Sequence, residues 1–215
     1  MGELFDKLAN YGNSGIYPFH MPGHKRQKTV DFNPYKIDIT EIEGFDNLHH
    51  AEGVLLEAQK KAEKLYGSEE SHFLINGSTA GILSAVSACA KKTVLIARNC
   101  HKAVYHAALI RNLDVYYVYP EIQEEFMLNG GINPADVERS LEEHPEIEAV
   151  VITSPTYDGI VSDVKRIAEI AHAHKKPLIV DEAHGFRSDS ASKYDELQKI
   201  CKAPCSNPGL LRSIQ

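Results

Sequence analysis

Pro177-Leu178-Ile179-Val180-Asp181-Glu182-Ala183-His184-Gly185 is the stretch on which the fold turns. Its apolar run is continuous rather than alternating, which suits a strand covered on both faces of a parallel sheet. It ends on an aspartate, a residue costly to desolvate unless it meets a cation or hydrogen-bond donors. Upstream, Thr93–Ala97 repeats the continuous pattern, and His72–Ile75, Val115–Tyr119 and Ala149–Thr153 also read as strands. Helical spacing lies between them. It covers Val54–Tyr66 with Gly67 as a C′ stop, Ser78–Ala90, His101–Arg111, Asn133-Pro134 through Glu143, and Asp163–His174. Strands alternating with helices predict an α/β domain with three αβα layers and a mostly parallel sheet.

Outward from this core the character changes. The first fifty residues are rich in Pro, Gly and His with little periodicity, and read as an ordered N-terminal arm, 1–50. The sheet domain is expected over 51–185. The tail, 186–215, has room for one short helix and shows no strand that would continue the sheet. No repeat or low-complexity tract appears.

Composition narrows the function. The chain has 215 residues, 43% of them hydrophobic and 25% charged, as in ordinary globular proteins. A formal charge of -7 and a pI of about 5.9 leave no cationic excess to neutralise phosphates. Nucleic acid and anionic membranes are therefore disfavoured as partners. No apolar run approaches the roughly 20 residues of a membrane span, and the N-terminus has no signal pattern. Four cysteines, unevenly placed, do not make a disulfide scaffold. A cytoplasmic setting is expected.

In a parallel α/β sheet, ligands bind outside the carboxyl ends of the strands, and polar groups gather there. Asn76-Gly77-Ser78-Thr79-Ala80-Gly81 follows His72–Ile75 and opens a helix. Its backbone N–H groups and hydroxyls could cradle an anion or simply cap the helix. Arg98-Asn99-Cys100-His101 follows Thr93–Ala97, where His101 could lie on a ligand ring or cap the next helix. Ser154-Pro155-Thr156-Tyr157-Asp158-Gly159 follows Ala149–Thr153, and Asp181 closes the last strand. Each alone is as readily structural as functional; four in succession point to a shared pocket, in which a protonated ring nitrogen would be a partner for Asp181.

The motifs then become specific. The arm carries Pro18-Phe19-His20-Met21-Pro22-Gly23-His24-Lys25, Asp38-Ile39-Thr40-Glu41 and Gly44-Phe45-Asp46-Asn47-Leu48-His49, followed in order by GSTAG, RNCHK, SPTYDG and VDEAHG. Over residues 1 to about 185 the chain resembles the Orn/Lys/Arg decarboxylases, in the short form without an N-terminal wing domain. That resemblance implies part of the large domain of an aspartate-aminotransferase-like, fold-type-I pyridoxal-phosphate enzyme. It also implies a homodimer, a basic amino-acid substrate (arginine, lysine or ornithine) and a place in polyamine biosynthesis. Carried over by residue, Ser78, Thr79 and Ala80 would bind the pyridoxal 5'-phosphate phosphate group. His101 would stack on the ring, Asp181 would pair with the ring nitrogen, His184 would lie beside the phenolic oxygen and Thr156 near the ring face. His101, Asp181 and His184 would carry catalysis. His20, His24 and Lys25 belong to a segment the family uses near its active-site entrance.

The chain departs from the family after His184. No Ser-x-His-Lys sequence, whose lysine forms the Schiff base, follows Asp181; His-Lys pairs occur at His24-Lys25, His101-Lys102 and His174-Lys175. Ser190-Ala191-Ser192-Lys193 resembles an aminotransferase lysine motif, but it lies too near Asp181 for a crossover helix and a return strand. A C-terminally truncated chain without a Schiff-base lysine is the expectation. A non-catalytic remnant or partner subunit, or another fold-type-I enzyme such as an aminotransferase, are the alternatives. Asp181-Glu182-Ala183-His184 also spells a helicase acidic box, but no GxxxxGK[ST] loop precedes it. Eleven histidines form no HExxH framework, so no metal site is expected. His172 and His174 are expected at a helix C-terminus, favourable to its dipole.

Overall fold

The computed structural model describes residue 42, residues 45–184 and 210–213, and, nearer the N-terminus, residues 10 and 13–15. The chain divides into two compact units, Met1–Ile39 and Thr40–Gln215, and the second holds everything described below. HMPGHK and Lys193 lie outside the described residues.

The second unit runs α1 (Val54–Tyr66), α2 (Gly77–Cys89), β1 (Thr93–Ala97), α3 (Lys102–Arg111), β2 (Asp114–Val118), β3 (Pro120–Gln123), β4 (Leu128–Ile132), α4 (Pro134–Glu143), β5 (Val150–Thr153), α5 (Val164–Ala173), β6 (Leu178–Asp181) and β7 (Leu210–Ser213). Five strands form one sheet in the order β2-β1-β5-β6-β7, and every pair is parallel. β1, β5 and β6 are buried along their whole length, as their unbroken apolar runs predict. β2 lies at the sheet edge and is only partly covered.

The strand order decides where a ligand can sit. From β1 the chain crosses to β2 on one side, then returns past β1 to β5 and onward to β6. Right-handed crossovers in opposite directions put their helices on opposite faces. The helix contacts agree: α2 packs on α3, α4 packs on α5, and α2 also touches β6 and β7. The reversal point lies between β1 and β5, where their carboxyl ends open a crevice.

Local chemistry explains most element boundaries. Gly67 ends α1 in the left-handed region at φ 62°, where glycine pays no Cβ penalty. Asn133 caps α4, its side chain accepting from the Ala135 N–H, with Pro134 at the first helical position. Asp163 caps α5 in the same way through Arg166. The Glu148 carboxylate accepts the N–H groups of Lys91, Lys92 and Thr93 at 2.6, 2.7 and 3.3 Å, tying the start of β1 to the approach of β5.

Two expectations are corrected and one unforeseen element is added. His72–Ile75 forms no strand. The segment is irregular, and Phe73, Leu74 and Ile75 are each about half exposed. A strand needs a neighbour to take its backbone hydrogen bonds, and none pairs with this segment among the described residues. The stretch after β2 contains the antiparallel hairpin β3–β4, where Gly130 is required because a Cβ there would meet the Glu121 carbonyl oxygen at 2.9 Å. The tail does supply a strand: β7 continues the sheet beside β6.

The start of α1 rests on Asp46. Gly53 is the N-cap and offers no side-chain acceptor. The Asp46 carboxylate takes that place, accepting from Asn47, Glu52, Gly53 and Leu55 N–H groups at 2.8 to 3.0 Å. The Glu52 N–H above all, with those of Gly53, Asn47 and Leu55, holds this carboxyl far below the usual carboxylate range. A depressed folded-state pKa contributes stability above the ordinary aspartate pKa and loses it as pH falls below that value. Asp46→Ala is therefore expected to lower the urea midpoint followed by circular dichroism at pH 7. The gap from the parent should narrow as pH falls from about 4 downward. Equal midpoints at pH 7 would show that the cap contributes nothing.

Candidate active site

The parallel strands bring their carboxyl ends to one edge of the sheet, and the polar residues predicted there arrive with them. Asp181 is the last residue of β6 and is 3% exposed. Its Oδ1 accepts from the Ala183 N–H at 3.1 Å, and among the described residues no cation pairs with it. Its own carbonyl accepts from the Ser154 N–H at 3.1 Å, which stitches the end of β6 to the loop after β5.

That loop is tied down throughout. Ser154 is 1% exposed, and its Oγ accepts from the Ser162 N–H at 3.0 Å. Thr156 is also buried; its N–H donates to the Ile160 carbonyl at 2.8 Å, and its Oγ1 accepts from the Ile160 N–H at 3.1 Å. Beyond it, Tyr157 meets the exposed His184 ring edge-on, with centroids 5.3 Å apart. The 154–162 loop and the residues after β6 thus form one wall.

After β1, His101 is the N-cap of α3, its Nδ1 accepting from the Ala103 N–H at 3.2 Å. The capping reading of His101 is what the structure displays, and the ring stays exposed. Arg98 turns to its neighbours: its Nη1 donates to the Tyr105 hydroxyl at 3.0 Å, and its guanidinium lies 5.5 Å from the Tyr105 and 5.7 Å from the Tyr117 ring centroids. Cys100 is buried between the strands, its Sγ 3.7 Å from the Val151 carbonyl. Burial pushes its thiol up to about 12, and the nearby Asp181 charge adds to this, while the Thr153 hydroxyl works against it. At neutral pH Cys100 is a neutral filler beneath Asp181 and not a nucleophile.

The Asn76–Gly81 segment stands apart from the others because no strand leads into it. It opens α2 with Asn76 in the left-handed region at φ 66°, and the Asn76 side chain makes no capping hydrogen bond. Ser78 is buried and Thr79 exposed in the first turn. The plain Ser/Thr N-cap is therefore not what forms, and the first-turn N–H groups keep no side-chain acceptor from the N-cap. His172 lies in the last turn of α5 and His174 is its C-cap, as expected, and burial lowers the His172 pKa. No group of side chains among the described residues could hold a metal ion, and no helix among them is long and apolar enough to cross a membrane.

Sequence reasoning passed over Thr153, Asn99 and Cys100. Thr153 Oγ1 and Asn99 Oδ1 are buried with no hydrogen-bond partner among the described residues. Only the β5–β6 register reveals Thr153, by setting it beside Asp181.

Comparison with known proteins now decides the family. Residues 3–191 match the model of the Orn/Lys/Arg decarboxylase major domain. The chain belongs to that family. It is 38% identical over 192 residues to the protein YaaO of Bacillus subtilis (strain 168), covering 85% of this chain and 40% of that one. It is 33% identical to an arginine decarboxylase of Bacillus cereus, covering 85% of this chain and 42% of the relative. The chain thus spans about two-fifths of the length of these curated relatives. Among solved structures, mouse CSAD in apo form superposes with a TM-score of 0.51 at 20% identity, over 61% of this chain and 32% of that one. That likeness shows the fold, the aspartate-aminotransferase-like large domain in its αβα layers, and no more.

The burial of the site gives a direct check. Cys100 of the folded chain is expected to resist iodoacetamide at pH 8 and to be alkylated only at the rate of unfolding, as mapped by mass spectrometry of the Cys100 peptide. Rapid labelling in native buffer would mean that the floor beneath Asp181 is open to solvent.

Proposed function

We propose that this chain supplies the cofactor-holding half of a pyridoxal-phosphate-dependent decarboxylase acting on a basic amino acid, and that no lysine of the chain is the covalent attachment point. When bound, pyridoxal 5'-phosphate supplies an electron sink for the loss of an amino acid's α-carboxylate as CO2. The observation that carries the reading is the buried Asp181 carboxylate at the switch-point edge, with no cation beside it among the described residues. A protonated ring nitrogen is the partner such a group lacks.

The other residues fit the same ligand. The open first turn of α2 presents N–H groups and the Ser78 and Thr79 hydroxyls to a phosphate, with Ala80 small enough to allow its approach. His101, fixed by its capping bond, presents an exposed imidazole face suited to stacking on the ring. Thr156 and His184, which follow β5 and β6, would serve the rest of the ring, His184 exchanging a proton with a phenolic oxygen. Asp181 keeps a proton on the ring nitrogen through a charge-assisted hydrogen bond. In this reading the intact enzyme is a cytoplasmic homodimer, and 51–185 is the part of its large domain that binds the cofactor. Arginine, lysine and ornithine all present the same α-amino acid to these residues, and the carboxyl-end groups described do not choose among them.

The alternative of a helicase loses support because no phosphate loop precedes DEAH. An aminotransferase would share Asp181 and the phosphate cradle, but the HMPGHK segment favours the decarboxylases. Lys193 is excluded as attachment point in this reading by its short tether to Asp181.

Titrating the purified chain with pyridoxal 5'-phosphate should give saturable, non-covalent binding, with no lysine labelled by borohydride reduction. Asp181→Asn should weaken it by about tenfold or more, since a hydrogen bond to a charged group is worth roughly 1.5–3 kcal/mol. With arginine, lysine or ornithine present, CO2 release should not exceed that of free cofactor. Labelled Lys193, with turnover that disappears in Lys193→Ala, would overturn the assignment. Unchanged binding in Asp181→Asn would remove Asp181 from the site.

A further inference from the structure

The sheet register pairs Thr153 on β5 with Asp181 on β6. Registered residues on neighbouring parallel strands point to the same face, with strand axes about 4.8 Å apart. Thr153 is 6% exposed, and its hydroxyl is buried without a hydrogen-bond partner among the described residues. The Cys100 sulfur, a weak acceptor, is within reach of the hydroxyl, and the thiol's own proton is directed to the Val151 carbonyl. The Asp181 carboxylate beside it has one oxygen, Oδ1, engaged by the Ala183 N–H.

A buried hydroxyl without a partner among the described residues therefore sits beside a carboxylate that no cation pairs with there. A buried hydroxyl left unpaired costs stability, and such a cost is commonly found where function uses the group. A valine would fill the same space without that cost.

We infer that Thr153 is a positioning residue for Asp181: its hydroxyl donates to the carboxylate and holds it ionised and aimed when Asp181 receives a cationic ring N–H. The inference rests on the cofactor reading above and goes beyond it. Asp181 touches the ligand; Thr153 acts only through Asp181. The donated hydrogen bond favours the charged form of the carboxylate, and the charged form is the one that discriminates for a protonated ring nitrogen. A threonine serves better here than a second charged group, because it adds a donor without adding a charge that would also need burial.

The test compares two probes, pyridoxal 5'-phosphate and its 1-deaza analogue, which has C–H in place of the ring nitrogen. Their affinities are measured on the full chain and on Thr153→Val, Thr153→Ala and Thr153→Ser, with the melting temperature of each ligand-free protein. The parent should prefer the nitrogen-containing probe by about tenfold or more. Thr153→Ser should keep that preference, while Thr153→Val and Thr153→Ala lose most of it. Ligand-free Thr153→Val should melt about 2–4 °C above the parent, as expected when an unpaired buried hydroxyl is removed. That gain alongside a lost preference separates positioning from a structural role, which would lower stability and both affinities together.

A preference retained in Thr153→Val would overturn the inference and leave the cofactor reading intact. If that variant does not fold, a preference retained in Thr153→Ala has the same force. A parent that binds both probes equally removes Asp181 as the ring partner, and Thr153 with it. A parent that binds neither overturns the cofactor reading itself.

Discussion

A carboxylate that closes a buried parallel strand is the constraint around which this unit is arranged. Asp181 lies at the end of β6, flanked by β5 and β7, with solvent almost wholly excluded. In that setting an isolated charge is costly, so its neighbours matter more than its own conformation. Among the described residues the surroundings supply a backbone donor from Ala183, a neutral thiol at Cys100 and a hydroxyl at Thr153 without a partner. The backbone bond from Ser154 to the Asp181 carbonyl fixes the loop wall against the strand. In the function proposed here a cationic ligand completes this site, and the strand-order reversal between β1 and β5 offers that ligand a crevice.

The sheet and most helices were legible because continuous apolar runs and capping residues are local signals. Leu178–Asp181 and Thr93–Ala97 need only their own side chains to announce a strand buried on both faces. Other features depend on distant partners. Phe73-Leu74-Ile75 has strand composition, but composition cannot supply the neighbour that a strand requires, and the segment remains irregular and half exposed. In the hairpin β3 is largely exposed and carries Glu121, and β4 holds two adjacent glycines, so neither shows a two-residue alternation to read. β7 emerges from a Pro- and Ser-rich tail because β6 offers it a backbone edge, a condition invisible in the tail itself.

Site residues divide along the same line. Asp181, Ser78, Thr79, His101, Thr156 and His184 could be singled out as candidates because they follow predicted strands or open helices and match a family's ordered motifs. His101 shows how such a match can conceal a second role, since the imidazole nitrogen that caps α3 also fixes the plane of the ring. Asp46 was visible only as part of GFDNLH. Its role as the cap of α1 escapes the usual rule because the acceptor lies seven residues before the N-cap Gly53. Thr153 was legible as a strand residue but not as a neighbour of Asp181, since register is set by the whole sheet.

The central claim is that Asp181 holds a protonated ring nitrogen. The most direct measurement is the 15N NMR shift of pyridoxal 5'-phosphate labelled at the ring nitrogen and bound to the chain, at a pH above that at which the free cofactor's own ring nitrogen loses its proton. A pyridinium shift is expected in the complex, and its loss in Asp181→Asn. A bound cofactor whose ring nitrogen shows the neutral pyridine shift in the parent chain would contradict it.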